Sequence, residues 1–251
     1  MAKTILITGA TAGFGQAMAH RFAAEGWNLV ITGRRAERLE DIKAELAPAK
    51  VHTLAFDVRD REACEQAVKS LPDEFAAIDV LVNNAGLALG LEPAQACNLD
   101  DWESMIDTNI KGLTYMTRAI LPGMVERDRG HVVNLGSVAG TYPYPGGNCY
   151  GGTKAFVNHF SKNLRADLLG TKVRVTNIEP GLCETEFSVV RFKGDKAAAD
   201  KVYEGTQPIT PEDIAECVFW TTNLPAHVNI NSLEVMPVQQ AFSPFAISRD
   251  K

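Results

Sequence analysis

Thr4-Ile5-Leu6-Ile7-Thr8-Gly9-Ala10-Thr11-Ala12-Gly13-Phe14-Gly15 is the stretch of sequence that decides the fold. The apolar run predicts a buried strand over residues 4–8, and the amphipathic pattern that follows predicts a helix over 14–25. Glycines between a strand and a helix allow a tight turn and close approach of the backbone to a pyrophosphate, which then lies on the helix N-terminus. We therefore interpret this G-x-x-x-G-x-G turn as a dinucleotide site, the alternative being an ordinary loop.

Short apolar runs alternate with amphipathic stretches along the rest of the chain. Further strands are predicted at residues 29–32, 52–56, 80–82, 132–135 and 173–178. Further helices are predicted at residues 36–46, 60–70, 99–124, 148–168 and 211–222. This alternation predicts a single α/β domain over residues 1–251, with a parallel sheet and right-handed crossovers. We expect a mobile polar flap at about 183–206, and a tail at about 237–251 that docks on the body or on a neighbouring subunit.

Charge and cysteine usage exclude several classes of function. The formal net charge of −6 argues against a nucleic-acid partner, which would need a basic face. The five cysteines and five histidines are dispersed and form no CxxC pair. We therefore expect no disulfide framework, no metal site and a reducing, cytoplasmic location. The apolar run at the N-terminus is too short for a signal peptide or a membrane span, so no membrane partner is expected.

Residues after the second, third and fourth predicted strands extend the cofactor site. The second strand ends at Arg34-Arg35, and arginine accommodates a 2′-phosphate where NAD-selective proteins carry an acid. This pair favours NADP(H), the alternative being two solvated arginines, which would oppose the helix dipole. Ligands of open parallel sheets bind beyond the carboxyl ends of the strands. At that edge we predict cofactor contacts from Asp57, Val58, Asn83, Ala85 and Gly86.

Tyr150 and Lys154 are the candidate residues for proton transfer. They lie four positions apart in a predicted helix, so their side chains share one face. A phenol has an ordinary pKa of ~10, and a nearby cation favours the phenolate. Lys154 is therefore expected to lower the pKa of Tyr150 toward the range in which it exchanges protons near neutral pH. Taken alone, the spacing is weak evidence, because most such pairs are ordinary surface pairs on a helix.

The chain resembles the short-chain dehydrogenase/reductase family over roughly residues 3–185. The resemblance rests on motifs in the family's order: Thr8-Gly9-x3-Gly13-x-Gly15, Asp57, Asn83-Asn84-Ala85-Gly86, Asn109, Ser137, Tyr150-x3-Lys154 and Pro180-Gly181. It implies a Rossmann-type sheet of seven parallel strands in the order 3-2-1-4-5-6-7 with helices on both faces. It also implies a nicotinamide cofactor bound across the C-terminal edge of that sheet.

The resemblance further implies a role for each matched residue. Tyr150 would donate a proton to the substrate carbonyl during reduction, and Lys154 would also hydrogen-bond the nicotinamide ribose. Ser137 would polarise the same carbonyl, and Asn109 would hold a water that relays protons to Lys154. The remaining implied cofactor contacts are Gly9, Thr11, Gly13, Phe14, Gly15, Arg34, Arg35, Tyr150, Lys154, Pro180, Gly181 and Thr185.

A narrower resemblance is to the 3-hydroxy acid dehydrogenases and the bacterial sulfoacetaldehyde reductases. It is carried by residues 84–90, 143–148, 179–181, 185–194 and 224–231. Both activities act on a small aldehyde or alcohol with an anionic head, which needs a cation and hydrogen-bond donors. Arg191 is the candidate cation. The other predicted substrate residues are Ser137, Tyr144, Asn148, Tyr150 and Phe245.

Two differences from the 3-hydroxy acid dehydrogenases favour a sulfonate substrate over a carboxylate substrate. The segment 181–185 looks shortened relative to 3-hydroxy acid dehydrogenases, and the tail carries Phe242 and Phe245, changes that would suit a bulkier tetrahedral head. We predict NADPH-dependent reduction of sulfoacetaldehyde to isethionate. The alternative is an NADP-dependent 3-hydroxy acid dehydrogenase acting on malonic semialdehyde, 3-hydroxypropionate or L-serine. A non-catalytic dinucleotide-binding regulator is a remote alternative, because the four implied catalytic residues are all present. By analogy we expect a homotetramer or a homodimer.

Overall fold

The computed structural model describes residues 2–242 and contains one parallel sheet. Its strands are β1 (Thr4–Ile7), β2 (Asn28–Gly33), β3 (Val51–Ala55), β4 (Ile78–Asn83), β5 (Gly130–Leu135), β6 (Val173–Pro180) and β7 (Ser232–Val235). The strand order is β3-β2-β1-β4-β5-β6-β7, and every neighbouring pair is parallel. This confirms the Rossmann-type sheet that the family resemblance implied, including the seventh strand, which the apolar pattern had not located.

Helices connect the strands and cover the sheet. They are α1 (Gly13–Ala24), α2 (Ala36–Glu45), α3 (Arg61–Lys69), α4 (Asp73–Ala76), α5 (Leu99–Ile106), α6 (Leu113–Glu126), α7 (Asn148–Asp167), α8 (Glu186–Arg191), α9 (Lys196–Lys201) and α10 (Pro211–Thr222). Among residues 2–242, no helix combines the length and apolar character that crossing a bilayer requires.

Two separate cores form because both faces of the sheet are covered. In β1, Ile5 and Ile7 pack on one face with α1, α2 and α10, whereas Leu6 packs on the other face with α3, α4, α6 and α7. Successive side chains of a strand point to opposite faces, so a strand buried on both sides must be apolar throughout. Each fully buried side chain of this size contributes about 1.5–3 kcal/mol to the free energy of unfolding.

The predicted single helix over 99–124 is interrupted, which corrects the sequence interpretation. A π-helical turn over Asp107–Gly112 joins α5 to α6. The side chain of Asn109 in this turn accepts a hydrogen bond from Leu87 N and donates one to Leu87 O, both at 2.9 Å. A β-carbon on Gly112 would lie 2.7 Å from Cγ2 of Val58. The wide turn thus fits the helix closely against the loops after β3 and β4, contacts that apolar periodicity does not report.

The flap over residues 183–206 contains the two short helices α8 and α9. Lys193 anchors it to the body through an ion pair with Asp101 at 2.7 Å. The described part of the tail forms hydrogen bonds next to both ends of the flap. Oε1 of Gln240 accepts from Leu182 N at 2.7 Å, and Oε1 of Gln239 accepts from Gln207 N at 2.6 Å. Phe245 lies outside the described residues, and the mobility of the flap stays a prediction.

Candidate active site

A cavity of about 310 Å³ opens at the carboxyl edge of the sheet. Its walls are the glycine-rich turn after β1, the ends of β2, β4, β5 and β6, the loop after β3, the start of α7 and the flap. The predicted site residues that line it are Gly9, Thr11, Gly13, Phe14, Arg34, Arg35, Asp57, Val58, Ala85, Gly86, Ser137, Tyr150, Lys154, Pro180, Gly181 and Thr185.

The glycine-rich turn is shaped by its contact with the loop after β4. Gly9 has a φ of +66°, and a β-carbon there would lie 2.9 Å from Cα of Ala85. Nδ2 of Asn84 donates to the carbonyl oxygens of Thr8 and Gly9, at 2.8 and 3.0 Å. These bonds fix the backbone at the entry to α1. Ala12, which precedes α1, offers no side-chain cap, so the first N–H groups of this helix are free to meet an anion.

Arginines gather at the end of β2. Nη2 of Arg35 donates to Oγ1 of Thr11 at 2.8 Å, and the side chain also lies 3.7 Å from a carboxylate oxygen of Glu186 on the flap. Arg34 lines the cavity beside Arg35, and Nε of Arg38 donates to Thr11 O at 3.4 Å. Sequence reasoning missed Arg38, although it lies one helical turn after Arg34.

Asp57 is held at the end of β3 by Arg59. The two side chains form an ion pair at 2.7 Å. Burial raises the pKa of Asp57, but hydrogen bonds from Arg59 and its charge outweigh burial and leave the pKa below its ordinary value. The carboxylate is therefore an ionised hydrogen-bond acceptor on the cavity wall.

Tyr150 and Lys154 both lie at the cavity, as the helical spacing predicted, but their electrostatics differ from the expectation. Burial raises the pKa of Tyr150 to about 12, and a hydrogen bond with Ser137 and the charge of Arg191 offset this only in part. Burial lowers the pKa of Lys154 to about 8. Its Nζ donates to Leu135 O at 2.6 Å and lies 5.8 Å from the Tyr150 ring centroid. The pKa of Tyr150 in this structure therefore lies above its ordinary value, because desolvation outweighs the neighbouring groups that lower it. The effect of Lys154 on that pKa stays a prediction.

Ser137 lies at the turn that follows β5, with its hydroxyl toward Tyr150. Its Oγ donates to Pro180 O at 3.4 Å and accepts from Ala139 N at 3.1 Å. The side chain caps the short 3₁₀ turn Val138–Gly140 and lines the cavity as well. Ser137 can therefore offer a hydroxyl to the same substrate oxygen as Tyr150.

Three predicted residues near the cofactor edge do not line the cavity. Nδ2 of Asn83 donates to Thr117 and Asn134 at 2.9 Å, so this side chain ties buried elements together below the edge. Asn109 is 2% exposed, and besides Leu87 it bonds Oγ1 of Thr153 at 3.0 Å. Gly15 is buried within α1. The predicted cofactor contacts of Asn83 and Gly15 are thus corrected to packing roles, whereas the water relay of Asn109 stays a prediction.

The predicted substrate residues divide into two groups. Nη2 of Arg191 donates to Oη of Tyr144 at 3.0 Å, and its guanidinium carbon lies 5.0 Å from the Tyr150 ring centroid. A β-carbon on Gly147 would lie 2.6 Å from Cε1 of Tyr144, so the glycine makes room for this ring. Asn148 instead donates to the backbone oxygen of Glu92 at 3.0 Å, away from the cavity. None of Tyr144, Asn148 and Arg191 belongs to the residues that line the cavity itself, and the substrate role of all three stays a prediction.

Other cavity residues were not identified from the sequence. They are Ala12, Gly33, Phe56, Asn84, Leu87, Thr108, Leu135, Gly136, Cys183, Glu186, Phe187 and Val190. Most directly adjoin predicted positions at strand ends, which was an available signal. Glu186, Phe187 and Val190 reach the cavity because α8 folds back over it. Among residues 2–242 there is no group of three or more His, Cys, Asp or Glu side chains arranged to hold a metal ion.

Comparisons with known proteins agree with this geometry. Residues 3–196 match the short chain dehydrogenase family. The NADP-dependent 3-hydroxy acid dehydrogenase YdfG of Salmonella typhi is 61% identical over 246 residues, covering 98% of this chain and 99% of the relative. The serine 3-dehydrogenase of Rhizobium radiobacter is 57% identical over 250 residues, covering 100% of both.

A solved structure described as the closed form of serine dehydrogenase complexed with NADP+ shares the fold with a TM-score of 0.96. It is 58% identical and covers 98% of this chain and 100% of that one. The likeness extends over the flap and the start of the tail as well as the cofactor edge. The chain therefore belongs to the short-chain dehydrogenase family.

Proposed function

We propose that this protein is an NADP(H)-dependent dehydrogenase of small 3-hydroxy acids. The observation that carries the proposal is Arg191, a cation on the flap whose guanidinium lies 5.0 Å from the ring of Tyr150. Its Nε is buried and has no hydrogen-bond partner among residues 2–242, so a donor is left for an anionic head next to the reacting centre. The names of the relatives that match nearly the whole chain support the same substrate class.

The sulfonate substrate that the sequence favoured has weaker support. The relatives reported above are named for 3-hydroxy acids or serine, not for a sulfonate. Phe245, one of the two aromatic residues invoked for a bulkier head, lies outside the described residues. Sulfoacetaldehyde is therefore kept as the competing substrate in the assay below.

The cavity fits a phosphorylated dinucleotide. The uncapped N-terminus of α1 and the glycine-rich turn would hold the pyrophosphate, and Arg34 and Arg35 would hold the 2′-phosphate. Asp57 and Val58 would adjoin the adenine. When bound, NADP(H) supplies or accepts the hydride.

The side chains of this protein supply the proton chemistry. Burial keeps Tyr150 protonated at neutral pH, which is the state that a general acid needs in carbonyl reduction. Ser137 adds a hydroxyl on the same oxygen, where negative charge develops. Arg191 holds the acid head, which fixes the reacting carbon relative to Tyr150. In alcohol oxidation the same groups act in reverse, with Tyr150 accepting the proton.

Coupled absorbance assays at 340 nm test the substrate class. Reduction is measured with malonic semialdehyde and sulfoacetaldehyde, and oxidation with 3-hydroxypropionate and L-serine. We expect kcat/KM to favour malonic semialdehyde over sulfoacetaldehyde by at least about tenfold, a difference of roughly 1.4 kcal/mol in transition-state binding. A tenfold preference for sulfoacetaldehyde would overturn the 3-hydroxy acid proposal.

We also propose that the chain assembles as a homo-oligomer through α5 and α7. Leu99 on α5 is 66% exposed, and Phe156 on α7 is also exposed. Apolar side chains on two neighbouring helices suit burial against a second copy. Light scattering coupled to gel filtration distinguishes a tetramer or dimer from a monomer, and a monomer would remove this proposal.

A further inference from the structure

Arg191 contacts the ring of Tyr150 directly. Its guanidinium carbon lies 5.0 Å from the centroid of Tyr150 and 5.3 Å from that of Phe187, within the range of cation–π attraction. Nη2 of the same guanidinium donates to Oη of Tyr144 at 3.0 Å. Because three aromatic side chains hold it, the charge of Arg191 has a fixed position beside the phenol.

Lys154 is the weaker candidate for a permanent charge at this position. Its Nζ lies 5.8 Å from the Tyr150 centroid and donates to Leu135 O at 2.6 Å. Burial lowers the pKa of Lys154 to about 8, so this amine loses charge in the alkaline range in which alcohol oxidation needs a phenolate. An arginine keeps its charge throughout that range.

Few other titratable groups face Tyr150. Tyr144, from the loop before α7, and Cys183, from the start of the flap, would both oppose a phenolate if they ionised. The neighbouring flap cation, Lys193, is paired with Asp101 at 2.7 Å and faces Glu92 as well. Within residues 2–242, Arg191 forms no ion pair with a carboxylate, so its charge is available to the phenol.

We propose that Arg191 is a flap-borne positioning residue whose positive charge stabilises the phenolate of Tyr150 and so helps the phenol to release its proton. In reduction, the proton passes from Oη of Tyr150 to the carbonyl oxygen of the substrate, and the phenolate left behind is what Arg191 stabilises. The inference rests on the proposed function only in taking Tyr150 as the group that exchanges the proton. It assigns Arg191 a second role, beyond binding an anionic head.

The direct test measures ionisation at position 150 without any substrate. Tyr150→3,5-difluorotyrosine, introduced site-specifically, lowers the phenol pKa into an accessible range, and the chemical shifts of its ¹⁹F resonances report ionisation. Adding Arg191→Met is expected to raise that pKa by about one unit, since a unit charge about 5 Å away in a partly screened site is removed. Arg191→Lys should keep the pKa near the starting value. Lys193→Met is the matched control, because it removes a flap charge that does not face Tyr150 and should leave the titration unchanged.

Three results would overturn the inference. The phenol pKa with Arg191→Met could equal the pKa measured with Arg191 in place. Arg191→Lys could also raise the phenol pKa as much as Arg191→Met. The pKa could also fall in Arg191→Met, which would show that Arg191 only shields the phenol from water.

A kinetic measurement separates this inference from the proposed function. The ascending limb of kcat/KM against pH is recorded for oxidation of 3-hydroxypropionate and of the uncharged propane-1,3-diol. Arg191→Met is expected to shift this limb to higher pH by about one pH unit with both alcohols, because the charge acts through Tyr150. If Arg191 only binds the acid head, KM for 3-hydroxypropionate rises and the diol profile stays in place, which overturns the inference. Failure of the enzyme to oxidise 3-hydroxypropionate counts against the proposed function alone, since the fluorine titration needs no substrate.

Discussion

The double substitution Arg34→Ala with Arg35→Ala is expected to reduce NADPH affinity selectively. Both side chains are exposed at the cavity mouth, and Arg35 retains 57% of its side-chain exposure despite its bond to Thr11. A hydrogen bond to a charged group contributes about 1.5–3 kcal/mol, and solvent screening places exposed arginines at the lower end of that range. Two such contacts to a 2′-phosphate total about 3 kcal/mol, which corresponds to a loss of about 150-fold in affinity.

Fluorescence titration of the variant with NADPH and with NADH measures this effect. The affinity for NADH, which lacks the 2′-phosphate, should change by no more than about threefold, and the NADPH loss should shrink at high ionic strength. Arg61→Ala is a matched control, since Arg61 is exposed and its only ion pair within residues 2–242 is with Glu65, at 3.0 Å on α3. Equal losses for the two cofactors would refute the assignment of these arginines to the 2′-phosphate.

Three further substitutions test other parts of the site and the fold. Tyr150→Phe should lower kcat by at least about 10²-fold while NADPH binding is retained; unchanged turnover would mean that Tyr150 does not transfer the proton. Glu186→Gln should raise NADPH affinity by about threefold, because it removes the carboxylate 3.7 Å from Arg35, and an equal gain for NADH would contradict this reason. His131→Gln should flatten the acid dependence of stability. Burial holds the pKa of His131 well below its ordinary value, so the unfolded chain binds the extra proton below about pH 6.5 and stability falls by up to about 1.4 kcal/mol per pH unit. Urea unfolding at pH 7 and pH 5 measures this loss. If the free energy of unfolding falls by the same amount in the variant, groups other than His131 cause the loss.

The cofactor edge was predictable because its geometry follows from local sequence. A glycine turn between a strand and a helix has few conformations, so Gly9 and Gly13 at the cavity follow from their positions. The spacing of Tyr150 and Lys154 likewise fixes one helix face. The sequence did not show where the side chain of Asn83 points, because alternate residues of a strand face opposite sides of the sheet. In the structure this side chain bonds Thr117 and Asn134 instead of lining the cavity.

The flap and the electrostatics were not predictable in the same way. The polar sequence of the flap shows no strong helical periodicity, yet α8 brings Phe187 and Arg191 next to Tyr150. The prediction that Lys154 lowers the pKa of Tyr150 considered only the attraction of a charge. It left out desolvation, which depends on how deeply the folded chain buries each group.

The amino-acid sequence by itself determined the alternation of strands and helices, the glycine-rich turn, the arginine pair after β2 and the helical pairing of Tyr150 with Lys154. These features depend on residues close together in the chain, and local sterics and periodicity are sufficient to place them. The tertiary structure alone decided that Arg191, 41 residues beyond Tyr150, lies over its ring, and that burial raises the Tyr150 pKa. Such contacts between distant segments, and the loss of water around them, arise only when the flap packs over the cavity.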